Sequence, residues 1–183
     1  MLRSDGLRTK LAILPLLPQV IMRDIGWTRG TPASWPAVGS YLRDRAGYDF
    51  PLLAKLRHGR AIRAIAAAIG DNTRAAESRL GLSIKHRAGL TYATLVEDEA
   101  LSRAAQTMAA KAGDGDGGGS HGNLDRRAET ALALAEAASP SPAQITPDLI
   151  ARAQADLSPA ETIELLTWLA VMQLLHRLEA FYA

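Results

Sequence analysis

The chain is predicted to fold as an all-α domain, and three features of its sequence carry that prediction. Two helix starts follow one another, Thr146-Pro147-Asp148 and Ser158-Pro159-Ala160-Glu161. In each, a hydroxyl residue can cap free backbone N–H groups, and proline follows at the helical position where its missing N–H costs nothing. Glu161, three residues after Ser158, can reach back and complete a capping box. Next, the segment after Ser158 (IELLTWLAVMQLLHRLEAF) has too few polar positions for an ordinary solvated face. A helix apolar nearly all round is buried on several sides, so this helix is expected at the centre of the assembly. Finally, alanine and leucine dominate and aromatics are only 5%, which favours helix packing over a β-rich core.

The remaining elements follow in order along the chain. Residues 1–25 read as a helical segment broken by Pro15 and Pro18, and Gly26–Trp35 as a loop rich in breakers. Ser34 is expected to cap a short helix through Leu42. Asp49-Phe50-Pro51 opens a longer one, with Ile62, Ile65 and Ile69 at helical spacing and Gly70 as a left-handed stop. Arg57, Arg60 and Arg63 form a basic edge. Asp71-Asn72-Thr73 offers caps for a helix over TRAAESRL that Gly81 terminates, and Ser83 begins a short turn. Residues 91–112 are helical with a break near VEDEAL. Residues 113–124, rich in glycine, read as a flexible loop. Asp125–Ala138 is helical, SPSP is a spacer, and the two capped helices follow.

Composition bounds the function. The 183 residues suit one domain over 1–183, with 1–50 as an N-terminal extension. A hydrophobic fraction of 48% and mean hydropathy of -0.03 describe a soluble globular protein. Net charge is +2, too small an excess to create a field for nucleic acid, and none is expected as a partner. There is no cysteine, which excludes disulfides, thiolate nucleophiles, thiol redox cycling and Cys-ligated zinc. Arg3, Arg8 and Lys10 before LAILPLLPQVIM imitate a secretion signal, but no small-residue cleavage pattern follows. Thr167, Gln173, His176 and Arg177 interrupt the last apolar helix, so no membrane span is expected and the location is read as cytoplasmic.

The stretch DRRAETALALAEAASPSPAQITPDLIARAQADLSPAETIELLTWLAVMQLLHRLEAFYA, residues 125–183, resembles the C-terminal half of the AhpD-like/carboxymuconolactone decarboxylase family. The likeness rests on the T-x-x-L helix start, the S-x-x-E-x-x-E-L start after it, and closure on an arginine-containing turn. It implies an all-α fold of short helices assembled as a homo-oligomer. Redox members of that family carry Cys-x-x-Cys-x-x-x-His, with Gly-Leu shortly after. With Gly81-Leu82 as marker, the cysteine positions fall on Ala66 and Ile69 and the histidine on Thr73. The assisting glutamate falls near Lys55. Without sulfur, peroxide reduction is outside this chain's chemistry. The decarboxylase branch needs acid–base and cationic groups instead.

Candidate groups for that chemistry are His58, among arginines that can hold a carboxylate, Asp71 and Glu77 as an acid–base pair with Thr73 orienting a substrate, and His176. Each has a plainer reading: a solvated basic edge for His58, capping for Asp71, Asn72 and Thr73, and a pair with Arg74 for Glu77. Arg177 beside His176 is expected to pair with a buried carboxylate, Glu164 or Glu179. Asp114, Asp116, Gly119 and Asp125 echo a calcium loop but lack its bidentate glutamate, and no metal is expected. His86, His121 and Glu97-Asp98-Glu99 have no ligand spacing, and the acidic run reads as a solvated face. Trp168 is read as core or subunit interface, with Trp27 and Trp35 either covering a pocket mouth or anchoring the early loop to the helices. Two functions stand: cofactor-free acid–base chemistry, of decarboxylase or lyase type, on a small carboxylated or cyclic metabolite, or a catalytically inactive structural or binding relative.

Overall fold

The computed structural model describes residues 35–56, 59–74, 76, 78–113 and 121–182. Among them the chain is helical, with α1 Trp35–Ala46, α2 Leu52–Lys55, α3 Gly59–Asn72, α4 Leu82–Leu95, α5 Glu99–Gly113, α6 His121–Ala138, α7 Pro147–Asp156 and α8 Pro159–Tyr182; none forms a strand. The expected features at residues 1–34, including Ser34 and Trp27, lie outside the described residues. So do Arg57, His58, Glu77 and residues 114–120 of the glycine-rich loop, and the side chains of Trp35, His121 and Asp125.

The centre of the assembly is α4, not α8. It packs principally against α5 and α6, and α8 lies along its remaining side. Its sequence gives little warning, because Lys85-His86-Arg87 interrupts the apolar pattern where Ser83 suggested only a short turn. Burial there depends on small residues: Ala88, Gly89 and Ala93 let neighbouring helices approach closely. At Gly89 an added Cβ would lie 2.5 Å from Trp168 Nε1, so the fully buried indole of α8 sits directly on the α4 backbone. Trp168 is thus core, as expected.

Only one side of α8 is buried, through Leu165, Trp168, Leu169, Val171, Met172 and Leu175. The opposite side leaves Ile163, Leu166, Leu174 and Phe181 exposed, Phe181 by 81%. The sequence expectation of burial on several sides therefore fails within one subunit. Both predicted helix starts hold. Thr146 Oγ1 accepts Leu149 N–H at 3.3 Å with Pro147 at the first turn. Ser158 N–H donates to Glu161 Oε2 at 2.8 Å while Ser158 Oγ accepts Glu161 N–H at 3.3 Å, the reciprocal box.

The α3 end corrects two expectations. Gly70 is not a stop; it lies within the helix, where absence of a side chain admits the Tyr41 hydroxyl from α1. Asn72 and Thr73 close α3 instead of opening a new helix: Asn72 Nδ2 donates to Ala68 O at 2.9 Å and Thr73 Oγ1 to Gly70 O at 2.9 Å. The expected single helix from Pro51 is two, α2 and α3. The predicted break near VEDEAL falls at residues 96–98, where Glu97 takes a left-handed φ of 56° and Asp98 restarts the chain as α5. Residues expected as loop up to 124 are helical from His121, so the glycine-rich connection is shorter than predicted.

A turn at residues 78–81 is held between helices by charge. Glu164 Oε1 of α8 accepts the Ser78 hydroxyl at 2.6 Å and Lys85 Nζ at 2.7 Å. Its Oε2 accepts the main-chain N–H groups of Arg79 and Leu80 at 2.9 and 3.3 Å. Arg127 of α6 reaches the carbonyls of Arg79 and Leu80 and pairs with Glu161. Glu164 is therefore not the partner of Arg177, which is exposed, because Glu164's four acceptor positions are taken by this turn and Lys85.

Candidate active site

Left-handed Glu97 ends α4 and aims the chain so that Asp98 becomes the N-cap of α5, its Oδ1 accepting Leu101 N–H at 2.9 Å. The other oxygen, Oδ2, lies 3.0 Å from Nδ1 of His176 on α8. A carboxylate only accepts, so Nδ1 carries a proton and donates it to Asp98, and Nε2 is the ring nitrogen not engaged by this contact. The Asp98 side chain is 7% exposed and the His176 side chain 32%, which places the carboxylate inside and the imidazole at the boundary with solvent.

Asp98 lines a cleft of about 200 Å³ with Tyr48, Phe50, Lys55, Arg103 and Glu179. Four parts of the chain meet there: the loop after α1, α2, the start of α5 and the end of α8. Phe50, buried and held at a left-handed φ of 49°, stacks edge-on to Tyr48 at 5.1 Å and walls off one side. Burial pushes the Tyr48 phenol up; Arg103 opposes this, and Asp49 and Glu179 reinforce it. The phenol is therefore a proton-bearing hydrogen-bond donor near neutral pH. Lys55 Nζ donates to Tyr182 O at 3.0 Å and ties α2 to the end of α8. Arg103 is exposed at the rim, where a guanidinium can take a carboxylate.

Of the described catalytic candidates singled out from sequence, none lines this cleft; His176 reaches it only through its bond to Asp98, which lines it together with Glu179. Asp71 lies at the end of α3, 3.5 Å from Arg74, and Thr73 spends its hydroxyl on Gly70 O, closing α3 instead of capping a following helix. Both are separate from the cleft. His58 and Glu77 lie outside the described residues. The positions that the resemblance assigns to redox cysteines, Ala66 and Ile69, are fully buried in the core. Asp98 was the miss: the acidic run is not a uniformly solvated face, because its middle residue turns inward. An aspartate directly before Glu-Ala-Leu at a predicted helix restart was the available signal, since that is an N-cap position. Tyr48 and Arg103 carried no signal, as their meeting depends on tertiary packing.

Fold and cleft together define an all-α domain with a buried carboxylate orienting a half-exposed imidazole beside a small, mostly apolar cavity with a cationic rim. No family model, curated protein or solved structure matches the chain. Among the described residues no helix is long and apolar enough to cross a membrane, and no group of three or more His, Asp or Glu is placed to hold a metal ion.

Proposed function

We propose that this chain is a cysteine-free, AhpD-like/carboxymuconolactone decarboxylase-like protein that binds a small carboxylated or cyclic metabolite in the Asp98 cleft and moves a proton on it. The observation that carries the reading is the Asp98–His176 pair: the carboxylate fixes the tautomer, and the free Nε2 is the base. Arg103 receives the carboxylate of the ligand, the Tyr48 hydroxyl donates to a carbonyl or lactone oxygen, and Phe50 and Leu175 cover its apolar part. Asp98 then stabilises the imidazolium formed by proton abstraction, as an opposite charge within hydrogen-bond distance does.

The test is loss of deuterium from the α-carbon of small deuterated carboxylic acids and lactones, followed by NMR. Wild-type protein accelerates exchange for at least one of them. His176→Gln lowers the rate by about 10²–10⁴-fold with little change in binding, the range of a single general base, and Asp98→Asn lowers it while shifting the pH profile. Equal exchange rates for wild type and His176→Gln sink the reading. Saturable binding without exchange assigns the chain to the second reading, a catalytically inactive binding relative.

The same proposal includes a homo-oligomer built on α8. Its exposed residues include Ile163, Leu166, Ala170, Leu174 and Phe181, and Arg177 alone among them carries a charge. Leu166 and Leu174 stand at equal spacing either side of Ala170. A two-fold antiparallel pairing centred there sets each Leu166 against Leu174 of a second copy, the self-complementarity an isologous interface requires. Wild-type chain should sediment as an oligomer at micromolar concentration and Leu166→Glu as a monomer; a monomeric wild type excludes this interface.

A further inference from the structure

A second cavity, with no lining residue in common with the first, opens beside the Glu164 clamp. It measures about 290 Å³ and is bounded by Asp71, Asn72, Ser78, Arg79, Lys85 and Glu164. Lys85 is the unusual member. The chain has four lysines, Lys10, Lys55, Lys85 and Lys111. Lys10 lies outside the described residues. Lys55 and Lys111 are exposed, each with its ammonium on main-chain carbonyls. The Lys85 side chain is 2% exposed, yet it forms part of a cavity wall.

We propose that this cavity receives a small α-keto acid whose keto carbon condenses with Lys85 Nζ to form an iminium. Three features of the geometry support it. The amine lies 2.7 Å from Glu164 Oε1, and the Ser78 hydroxyl lies 2.6 Å from the same oxygen, so the amine and a hydroxyl share one proton acceptor. Arg79 at the margin supplies a cation for the carboxylate of the acid. The volume is near the lower bound of ~300 Å³ for ligand pockets, which favours a molecule of a few carbons.

The step balances within the site. The Lys85 ammonium gives a proton to Glu164, and the neutral amine adds to the keto carbon to give a carbinolamine. The hydroxyl of the carbinolamine then leaves as water with the proton held on Glu164, and a C=N bond replaces C=O. The product keeps one positive charge and one N–H on nitrogen, so the ion pair with Glu164 survives the reaction. Burial acts in the same direction, lowering the proton affinity of Lys85, while the hydrogen bond and charge of Glu164 oppose it.

The experiment treats the full chain with pyruvate and sodium cyanoborohydride at pH 7 and maps the reduced adduct by peptide mass spectrometry. Lys85 should carry the dominant adduct and be modified faster than the exposed Lys55 or Lys111. Lys85→Arg keeps a cation for Glu164 but has no primary amine, and should abolish the dominant adduct at unchanged helicity. Methyl pyruvate, which lacks the carboxylate, should react more slowly at Lys85. Modification spread over the exposed lysines, or an unmodified Lys85, overturns the proposal. Equal rates for pyruvate and its ester overturn the keto-acid class. Should Lys85→Arg not fold, the distribution of adducts on the wild-type chain decides alone.

Discussion

Glu164→Ala is expected to destabilise the protein by about 3–5 kcal/mol, the cost of leaving one partner of a buried ion pair without the other. The Glu164 carboxylate serves four donors: the Ser78 hydroxyl, Lys85 Nζ and the N–H groups of Arg79 and Leu80. Burial alone would raise its carboxyl, but Lys85, Ser78 and the Arg79 N–H outweigh this and hold it below the usual carboxylate range. Removing it strands a lysine whose side chain is 2% exposed and frees two backbone donors in the turn. Lys85→Met is expected to cost less, because the three remaining donors still satisfy the carboxylate. Urea unfolding of both variants measures the difference. A loss below about 1 kcal/mol for Glu164→Ala would mean that the pair behaves as an exposed surface bridge.

Stability should also fall by about 3 kcal/mol between pH 6.5 and pH 4 through one residue, His86. Burial drives its pKa down to about 4; the Met108 carbonyl opposes this and the neighbouring Lys85 ammonium adds to it. Nδ1 donates to Met108 O at 3.1 Å, the Trp168 ring lies 5.5 Å away, and the buried Nε2 makes no hydrogen bond. Above pH 6.5 folded and unfolded chains both hold a neutral ring, so the residue does not affect the balance. As pH falls below 6.5 the unfolded chain takes up a proton that the folded chain refuses until about pH 4, and folding is penalised throughout that interval. Below 4.5 the depressed carboxyls of Glu161 and Glu164 extend the loss, since the unfolded chain again protonates first. His86→Gln keeps a donor for Met108 O and removes the titration. Its unfolding free energy should be nearly flat from pH 6.5 to 5, where wild type declines. A wild type equally flat would mean that water reaches the ring.

The helical class was legible because the signals for it are local. Thr146 and Ser158 sit within three residues of the groups they cap, and the structure reproduces both caps. The Asp98–His176 pair joins residues 78 positions apart and the Lys85–Glu164 pair 79, and nothing in either neighbourhood announces the other. Asp71, Asn72 and Thr73 show the intermediate case. The side chains of Asn72 and Thr73 hydrogen-bond carbonyls of α3 instead of the free N–H groups of a new helix; such residues serve either end of a helix, and packing of α3 against α1 and α8 decided the direction.

The sequence by itself determined the secondary-structure class, the positions of the last two helices and the absence of cysteine, because capping, helix propensity and composition act within a few residues. Only the tertiary structure decided which helix lies at the centre. The apolar α8 reads as the core but presents a bare face, while the mixed α4 is surrounded because Gly89 and its alanines admit neighbours. Close approach is set by the smallest side chains at a crossing, and charge pairing by residues distant along the chain. Both are relations between elements, and neither is written in the periodicity of any one of them.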